Sequence, residues 1–468
     1  MTELLWFRRD LRLHDHPALA AAAEAGDDVL ALFVVDPALE HLAGTPRGDA
    51  LRRTVLALDD ALGGRLHVVH GAPHEVVPAL ARERGASRVH VTGDPGPYGS
   101  RRDARVADAL GDAGAELVAT GTGYAVSPGR LRNAEGEGYK VFSAFRRAWY
   151  AHGWPGPADT SADTARWREP GPGDRAGLDV LAGQQAPAGM DLPAVGEDAA
   201  RQRWAEFLNE GLDGYATDRD RPDLDRTSRL GVHLKLGALH PRTLLADLAA
   251  LGPSDALDER LRDGRDTYAS ELAWREFYAD VLFHRPDTRT DSYDRRWTDF
   301  PWDSGPGADE AFEAWQEGRT GYPFVHAGMR QLRHEGWMHN RVRMVAASFL
   351  TKDLHVDWRR GARHFLDLLV DGDVASNQHG WQWTAGTGTD AAPYFRVFNP
   401  VTQGKRFDPE GDYVRRWVPE LADVAGKAVH DPRDDGHGGY PAPIVDHAEE
   451  RRESLDRYDA TIRGAARD

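Results

Sequence analysis

Short apolar runs alternate with helical patterns over the first 130 residues, and this alternation restricts the fold of that region. The runs that predict strands are Leu4–Phe7, Val29–Val35, Leu66–Val69, Val89–Thr92 and Glu116–Ala119. Helical spacing fills the intervals at Pro17–Ala25, Asp49–Leu62, His74–Arg84 and Arg101–Leu110. Strands separated by helices pair in parallel, and helices cover both faces of such a sheet. We therefore predict a five-stranded, Rossmann-like α/β domain over residues 1–130.

The rest of the chain has a different pattern. Residues 131–196 are predicted to be an interdomain linker, because Pro, Gly, Ala and Asp dominate from position 153 onwards. From Glu197 the apolar residues recur at helical spacing, which predicts an all-α domain over residues 197–468. No glycine-rich fingerprint follows the first strand, where WFRRDLR stands, so a classical NAD site is not expected.

Composition excludes several classes of protein. The chain has no cysteine, which rules out disulfides, thiolate catalysis and Cys-ligated zinc, and we expect no metal site. No apolar run approaches membrane-spanning length, and the N-terminus does not resemble a signal peptide, so we expect a cytoplasmic monomer without membrane contact. The net charge of −17 argues against a general nucleic-acid coat but is compatible with a local basic groove.

Polar groups and large rings concentrate between Trp337 and Arg396. Asn340 and Met344 are four residues apart and would share one face of a helix. Asp371, Asp373 and Asn377 follow a second apolar run, and Trp358, Trp381 and Trp383 surround them in the sequence. This combination suits a flat, redox-active, partly apolar cofactor. Taken singly, the same residues are also compatible with a packed helix, a surface loop and ordinary core aromatics.

Two shorter patterns indicate binding. Thr227, Ser228, Arg229, Leu230 and Gly231 precede a helix, where backbone amides, hydroxyls and a guanidinium could hold phosphate; an ordinary helix cap is the alternative. Glu271, Trp274 and Tyr278 share one helix stripe, on which a carboxylate and a ring could bind a base. An amphipathic stripe that faces the core is the alternative for this second pattern.

Together these residues resemble the photolyase/cryptochrome family, and specifically its bacterial class I cyclobutane pyrimidine dimer photolyases. LLWFRRDLRLHDHPAL is similar to the N-terminal signature of the family. Its C-terminal signatures are matched, at similar spacing, by TSRLG, ELAWREFY, GWMHNRVRM, DGDVASNQHGWQW and GTDAAPYFRVFNPVTQGKRFDPEGDYVRRWVPEL. One departure is Gly231, where the family usually has Ser, so that one hydroxyl is lost near the phosphates.

The resemblance implies FAD in the helical domain and UV-damaged DNA as the partner. The residues implied to bind FAD are Tyr215, Thr227, Ser228, Arg229, Leu230, Gly231, Asp371, Gly372, Asp373 and Asn377. Glu271, Asn340 and Met344 would act on the dimer in a cavity that also has Trp274 and Trp383. Arg219, Arg275, Arg341 and Gln403 would help hold the DNA or the lesion.

The resemblance also implies a mechanism. Light-excited, fully reduced FAD would pass an electron to the cyclobutane dimer, whose two ring bonds then split before the electron returns. Glu271 would stabilise the charged base, and the surrounding rings would keep the cavity dry. Trp381, Trp358 and Trp302 resemble the chain of tryptophans that reduces oxidised FAD.

An antenna chromophore is expected in the α/β domain. The residue pairs typical of folate binders are missing at Tyr98–Asp103 and Leu282–Pro286. Arg47, Asp94, Arg102 and Lys235 instead resemble the residues of deazaflavin binders, which favours 8-hydroxy-5-deazaflavin. Alternatives are 5,10-methenyltetrahydrofolate, another flavin or no antenna, with these residues as surface charges.

Three other functions are alternatives to repair of cyclobutane dimers. A cryptochrome photoreceptor would signal without repairing DNA, and its long C-terminal extension or loss of the Glu271, Asn340 and Met344 set is not found. Repair of (6-4) photoproducts would call for a His pair where Asn340 and Met344 stand. A plain nucleotide-binding α/β protein would leave the helical half unexplained.

Overall fold

The computed structural model describes residues 2–42, 44–390, 395–432 and 439–463, and its first domain is built on one sheet. The strands are β1 (Thr2–Phe7), β2 (Asp28–Val35), β3 (His67–His70), β4 (Arg88–Gly93) and β5 (Glu116–Thr122). They are all parallel, in the order β3-β2-β1-β4-β5. β1 and β2 are buried along nearly their whole length, as expected for a sheet covered on both faces. The predicted parallel sheet is confirmed.

The helices of this domain begin at proline. They are α1 (Pro17–Ala25), α2 (Pro46–Ala61), α3 (Pro73–Arg84) and α4 (Pro97–Asp112). Proline suits the first helical turn because its fixed φ is helical and the N–H that it lacks has no partner there. The apolar pattern places the starts of α2 and α4 three and four residues too late, because their first turns carry few apolar residues.

Residues 131–196 contain two helices that the sequence analysis did not predict, α5 (Phe142–His152) and α6 (Gly177–Ala182). Phe142, Phe145 and Trp149 lie at helical spacing in α5 and pack in the core of the helical domain. The stretch after α5 packs against the α/β domain: Val29 N donates to Arg166 O, and Val68 N donates to Asp174 O. This segment is therefore bound to both domains.

The helical domain is confirmed. Its helices are α7 (Glu197–Glu206), α8 (Tyr215–Asp218), α9 (Gly231–Leu236), α10 (Pro241–Ala250), α11 (Glu259–His284), α12 (Pro306–Gln316), α13 (Pro323–Glu335), α14 (Asn340–Lys352), α15 (Trp358–Leu368), α16 (Val374–Ala385), α17 (Pro400–Phe407), α18 (Asp412–Trp417) and α19 (His447–Tyr458). Two cores hold it together, one around α5 and α11 and one around α13–α16. Among the described residues, no helix has the length and apolar character needed to cross a membrane.

The two domains approach each other closely at Gly237, directly after α9. A Cβ at this position would lie 1.9 Å from Arg9 O, and its φ of +70° also favours glycine. Arg12 Nη1 donates to Gly237 O at 3.1 Å, and Leu11 N donates to Leu236 O at 3.3 Å. The segment after β1 thus packs directly on α9, which brings residues of both domains to common cavities.

Candidate active site

A cavity of about 360 Å³ lies inside the helical domain. Helices α11, α14 and α16 line it, together with the connector between α15 and α16. The lining residues are Arg219, Glu271, Trp274, Arg275, Tyr278, Asn340, Arg343, Met344, Ala347, Phe365, Leu369, Asp371, Gly372, Asp373, Ser376, Asn377, Gly380, Trp381, Trp383 and Thr384. The structure therefore brings to one place four of the six predicted catalytic residues, four of the ten predicted cofactor-binding residues and four of the six predicted lesion-binding residues.

Asp371 is held at the cavity wall by an ion pair. Arg343 Nη2 lies 3.1 and 2.9 Å from the two carboxylate oxygens, while its Nε donates to Met338 O. Gly231 approaches the same carboxylate, since a Cβ there would lie 2.8 Å from Asp371 Oδ2. A serine at position 231 would require this carboxylate to shift, so the glycine is matched to the position of Asp371.

Asn377 presents an acceptor to the cavity. Its Nδ2 donates to Ala362 O at 3.0 Å and to Gln378 Oε1 at 2.8 Å. These two bonds assign the amide orientation and leave Oδ1 as the group that can meet a ligand. A carbonyl oxygen in this position suits a ring N–H.

Glu271 and Arg219 form a pair on one side of the cavity. Arg219 Nη1 donates to Glu271 Oε1 at 2.6 Å, and both side chains are about one-quarter to one-third exposed. Desolvation raises the pKa of Glu271, and the neighbouring Arg219 opposes this rise. The carboxyl is thus easier to protonate than an exposed glutamate, and it can hydrogen-bond a polar ligand edge in either state.

Large rings line the cavity. Trp274 is half-buried, and the ring of Phe142 stacks on it with a centroid distance of 3.6 Å and an interplanar angle of 10°. Trp383 is also half-buried and follows Trp381 by two residues on α16. Asn340 and Met344 come from the first two turns of α14, as their spacing predicts. Such half-buried rings can stack on planar ligands.

The segment Thr227–Gly231 does not line this cavity directly, but it ends at α9 beside Asp371. Arg203 donates to the carbonyls of Thr227 and Ser228, and Tyr268 donates to Ser228 Oγ at 3.0 Å. Arg229 has a φ of +51° and lies 4.0 Å from the ring centroid of Trp337, while Leu230 is buried.

Thr227 Oγ1 is buried, and no described residue is its hydrogen-bond partner. A buried hydroxyl needs a partner, so this atom indicates a ligand contact. Tyr215 is buried nearby, edge-on to Tyr268. The arrangement is compatible with the predicted phosphate cradle.

Arg275, Arg341 and Gln403 differ in position. Arg275 is half-buried, lines the cavity and donates to Gly123 O and Leu234 O, so it bonds the backbone of both domains. Arg341 donates to Asp220 Oδ1 at 2.7 Å, just outside the cavity lining. Gln403 is half-buried on α17, also outside it.

The three tryptophans predicted to carry electrons differ in exposure. Trp381 lines the cavity, is buried and packs against Phe365 and Trp315. Trp358 is fully buried at the start of α15, and Trp302 is partly exposed. Residue 303 pairs with residue 356, which places Trp302 next to the segment that leads into α15. This order from cavity to surface is compatible with the predicted chain.

A second cavity of about 440 Å³ lies between the domains, and all four predicted antenna residues line it: Arg47, Asp94, Arg102 and Lys235. Arg102 lies 3.5 Å from Asp94 and over the ring of Trp6, with 5.2 Å from Cζ to the ring centroid. Burial lowers the pKa of Lys235 to about 8. Asp373 lines both cavities, so the two are neighbours.

Sequence reasoning missed several residues of these sites. Trp6, Arg8 and Tyr98 line the second cavity, and their positions at a strand end and in the first turn of a helix were the available signal. Phe142 supports Trp274 from a segment that was predicted to be linker. Its signal was the helical spacing of Phe142, Phe145 and Trp149.

Comparisons with known proteins identify relatives of this chain. The family model described as DNA photolyase matches residues 3–163, and the model described as the FAD binding domain of DNA photolyase matches residues 268–460. A deoxyribodipyrimidine photo-lyase from Streptomyces griseus is 45% identical, over 95% of this chain and 96% of its own.

Solved structures are similar over almost the whole chain. A bacterial class III photolyase from Agrobacterium tumefaciens has a TM-score of 0.88 at 34% identity, covering 99% of this chain and 98% of its own. An archaeal photolyase from Sulfolobus tokodaii, solved with two FAD molecules, has a TM-score of 0.82 at 30% identity, covering 98% and 100%.

The residues present fit FAD. Thr227 Oγ1 lacks a described partner, Asn377 lines the cavity with its Nδ2 bonded to Ala362 O and Gln378 Oε1, and the Arg343–Asp371 pair lies beside Gly231. These groups offer, respectively, a contact for a polar cofactor group, an acceptor for a ring N–H and a carboxylate for hydroxyls.

Replacing Arg343 should weaken FAD binding. Arg343→Gln removes the ion pair that positions Asp371, and we expect FAD affinity to fall by about tenfold, the effect of one charge-assisted contact. Arg330→Gln is the matched control, since Arg330 forms a similar bidentate pair with Glu420 outside the cavity. Titration of the apoprotein with FAD measures both. Equal affinity in the two variants would contradict the role given to Asp371.

Proposed function

This chain belongs to the DNA photolyase family, and we propose that it splits cyclobutane pyrimidine dimers in DNA with light captured by bound FAD. The observation that carries the proposal is that one cavity is lined by Glu271, Trp274, Asn340, Met344 and Trp383. Asn377 lines the same cavity. A flipped-out pair of linked bases needs apolar surfaces to stack on and polar groups for its edges. This cavity offers both.

Each residue has a role that follows from its contacts. When bound, FAD supplies the light-driven electron that opens the dimer. Glu271 hydrogen-bonds the base on which negative charge develops, and desolvation, which raises its pKa against the opposing effect of Arg219, makes the carboxyl easier to protonate. Trp274 and Trp383 stack on the lesion, and Met344 excludes water. Asn377 Oδ1 accepts from a ring N–H.

Light-dependent repair tests the function. Protein with reduced FAD should restore the absorbance of UV-irradiated oligothymidine under blue light and not in the dark. Glu271→Ala should slow repair by about tenfold, because one hydrogen bond to a developing charge is lost. Glu420→Gln removes a carboxylate paired outside the cavity and should leave repair unchanged. An unmodified protein that repairs no dimers under blue light would overturn the function.

Trp381 should be required for reduction of FAD but not for dimer splitting. It lines the cavity, so an electron from the protein surface would reach FAD through it. We expect Trp381→Phe to slow the photoreduction of oxidised FAD by an order of magnitude or more, with little effect on repair by protein reduced beforehand. Trp204→Phe, in the other helical core, is the control. Normal photoreduction in Trp381→Phe would show that the electron takes another route.

We further propose that the second cavity binds 8-hydroxy-5-deazaflavin as an antenna. Arg47, Arg102 and Lys235 line the cavity, and their positive charge suits an ionised ring hydroxyl. Asp94 can accept from the polyol hydroxyls. The proposal is supported by the position of these groups on one cavity and by the missing folate pairs.

Uptake of the deazaflavin should depend on Arg47, Asp94 and pH. Arg47→Ala and Asp94→Ala should each weaken binding by about tenfold, whereas Arg52→Ala, outside the cavity, should not.

Lys235 is charged below its folded pKa of about 8 and neutral above it. Affinity for the anionic ring should therefore fall as the pH rises through 8, and Lys235→Arg should remove this dependence. Visible absorbance measures binding. Binding of a folate or a second FAD, without the deazaflavin, would contradict the proposal.

A further inference from the structure

One face of Trp274 is supported by a ring from outside the cavity. Phe142 is stacked on it at 3.6 Å and is itself buried, with the ring of Phe277 at 5.9 Å. Trp274 is on α11, whereas Phe142 is the first residue of α5. Because Phe142 covers one face of the Trp274 ring, its position determines where the other face meets a ligand.

Phe142 is in turn held by the loop that follows Trp383. Phe142 N donates to Asp390 Oδ2 at 3.2 Å, and Thr389 Oγ1 donates to Lys140 O, in the residues just before α5. We call Phe142, Thr389 and Asp390 the clamp. Asp390 has a φ of +51°, a backbone conformation that is unfavourable for a residue other than glycine and is kept here by these contacts.

The same loop is fixed to the end of α16, next to Trp383. The amides of Gly386, Thr387 and Gly388 all donate to Gln382 O, at 2.9, 2.9 and 3.2 Å. Asp294 N donates to Thr387 O at 3.0 Å, which holds the loop from its other side. The loop therefore joins the end of α16, the helix that carries Trp383, to the clamp and through Phe142 to Trp274.

We propose that the clamp positions Trp274 relative to Trp383 and thereby makes the cavity selective for a linked pair of bases. This inference rests on the proposed function and adds Phe142, Thr389 and Asp390 as positioning residues. Stacking falls off steeply with separation and tilt, so two rings select a lesion only where their relative position is fixed. Without the clamp, the Trp274 ring could turn toward the space that Phe142 occupies. The affinity for a distorted dimer would then fall toward the affinity for normal bases.

Phe142→Leu tests the clamp by removing the flat ring while retaining an apolar side chain. We expect affinity for a dimer-containing oligonucleotide to fall by about tenfold, the effect of one impaired base–aromatic contact, with affinity for undamaged DNA nearly unchanged. The rate at saturating lesion should change much less than the affinity. Phe142→Tyr keeps the ring and should restore discrimination. Phe324→Leu, a buried ring in the other core, is the control.

A double-mutant cycle separates positioning from general packing. If Phe142 acts through Trp274, then Phe142→Leu combined with Trp274→Leu should lose no more affinity than Trp274→Leu alone. Asp390→Ala and Thr389→Val retain the Phe142 side chain but remove contacts that hold it, and each should lower discrimination in the same direction, which tests the clamp even if Phe142→Leu does not fold.

Light-driven repair by the unmodified protein, measured in the same preparations, tests the proposed function separately. Intact repair together with additive losses in the cycle, or with unchanged discrimination in the Asp390 and Thr389 variants, would overturn the clamp.

Discussion

The ion-paired, largely enclosed carboxylate of Asp373 is the group on which the arrangement of both cavities depends. Its Oδ1 accepts from the amides of Ala375 and Ser376 and so begins α16, while Oδ2 lies 3.0 Å from Arg9 Nη2 and 3.9 Å from Lys235 Nζ. Burial would neutralise an unpaired carboxyl, but these cations and amides hold the pKa of Asp373 well below its ordinary value. The charge can therefore stay ionised inside the protein.

One consequence is that the two proposed cofactor sites share a wall. Arg9 comes from the end of β1, Lys235 from α9 and Asp373 from the N-cap of α16, so the cluster joins three elements across the domain boundary. The close approach at Gly237 makes this contact possible. Groups bound in the two cavities would then both lie against Asp373.

The charge around the active cavity bears on how the protein binds DNA. Three arginines in or beside the active cavity form ion pairs: Arg219 with Glu271, Arg343 with Asp371 and Arg341 with Asp220. The chain as a whole carries a net charge of −17. Positive charge at the mouth is thus partly compensated, which lowers the non-specific attraction to phosphate. Recognition then depends more on the stacking of the lesion between rings, so the position of those rings matters.

The sequence alone determined the two-domain plan and most of the site. The spacing of apolar residues and the prolines at helix starts can be seen within a few neighbouring residues. They therefore predict the strands of the sheet, the helical domain and the shared face of Asn340 and Met344. Motif resemblance added the set around Glu271 and Asp371. Tertiary structure alone decided that Phe142 supports Trp274, that Arg275 bonds backbone carbonyls of both domains and that Asp373 borders both cavities. These contacts join residues more than one hundred positions apart, and they depend on how elements pack, which no local pattern encodes.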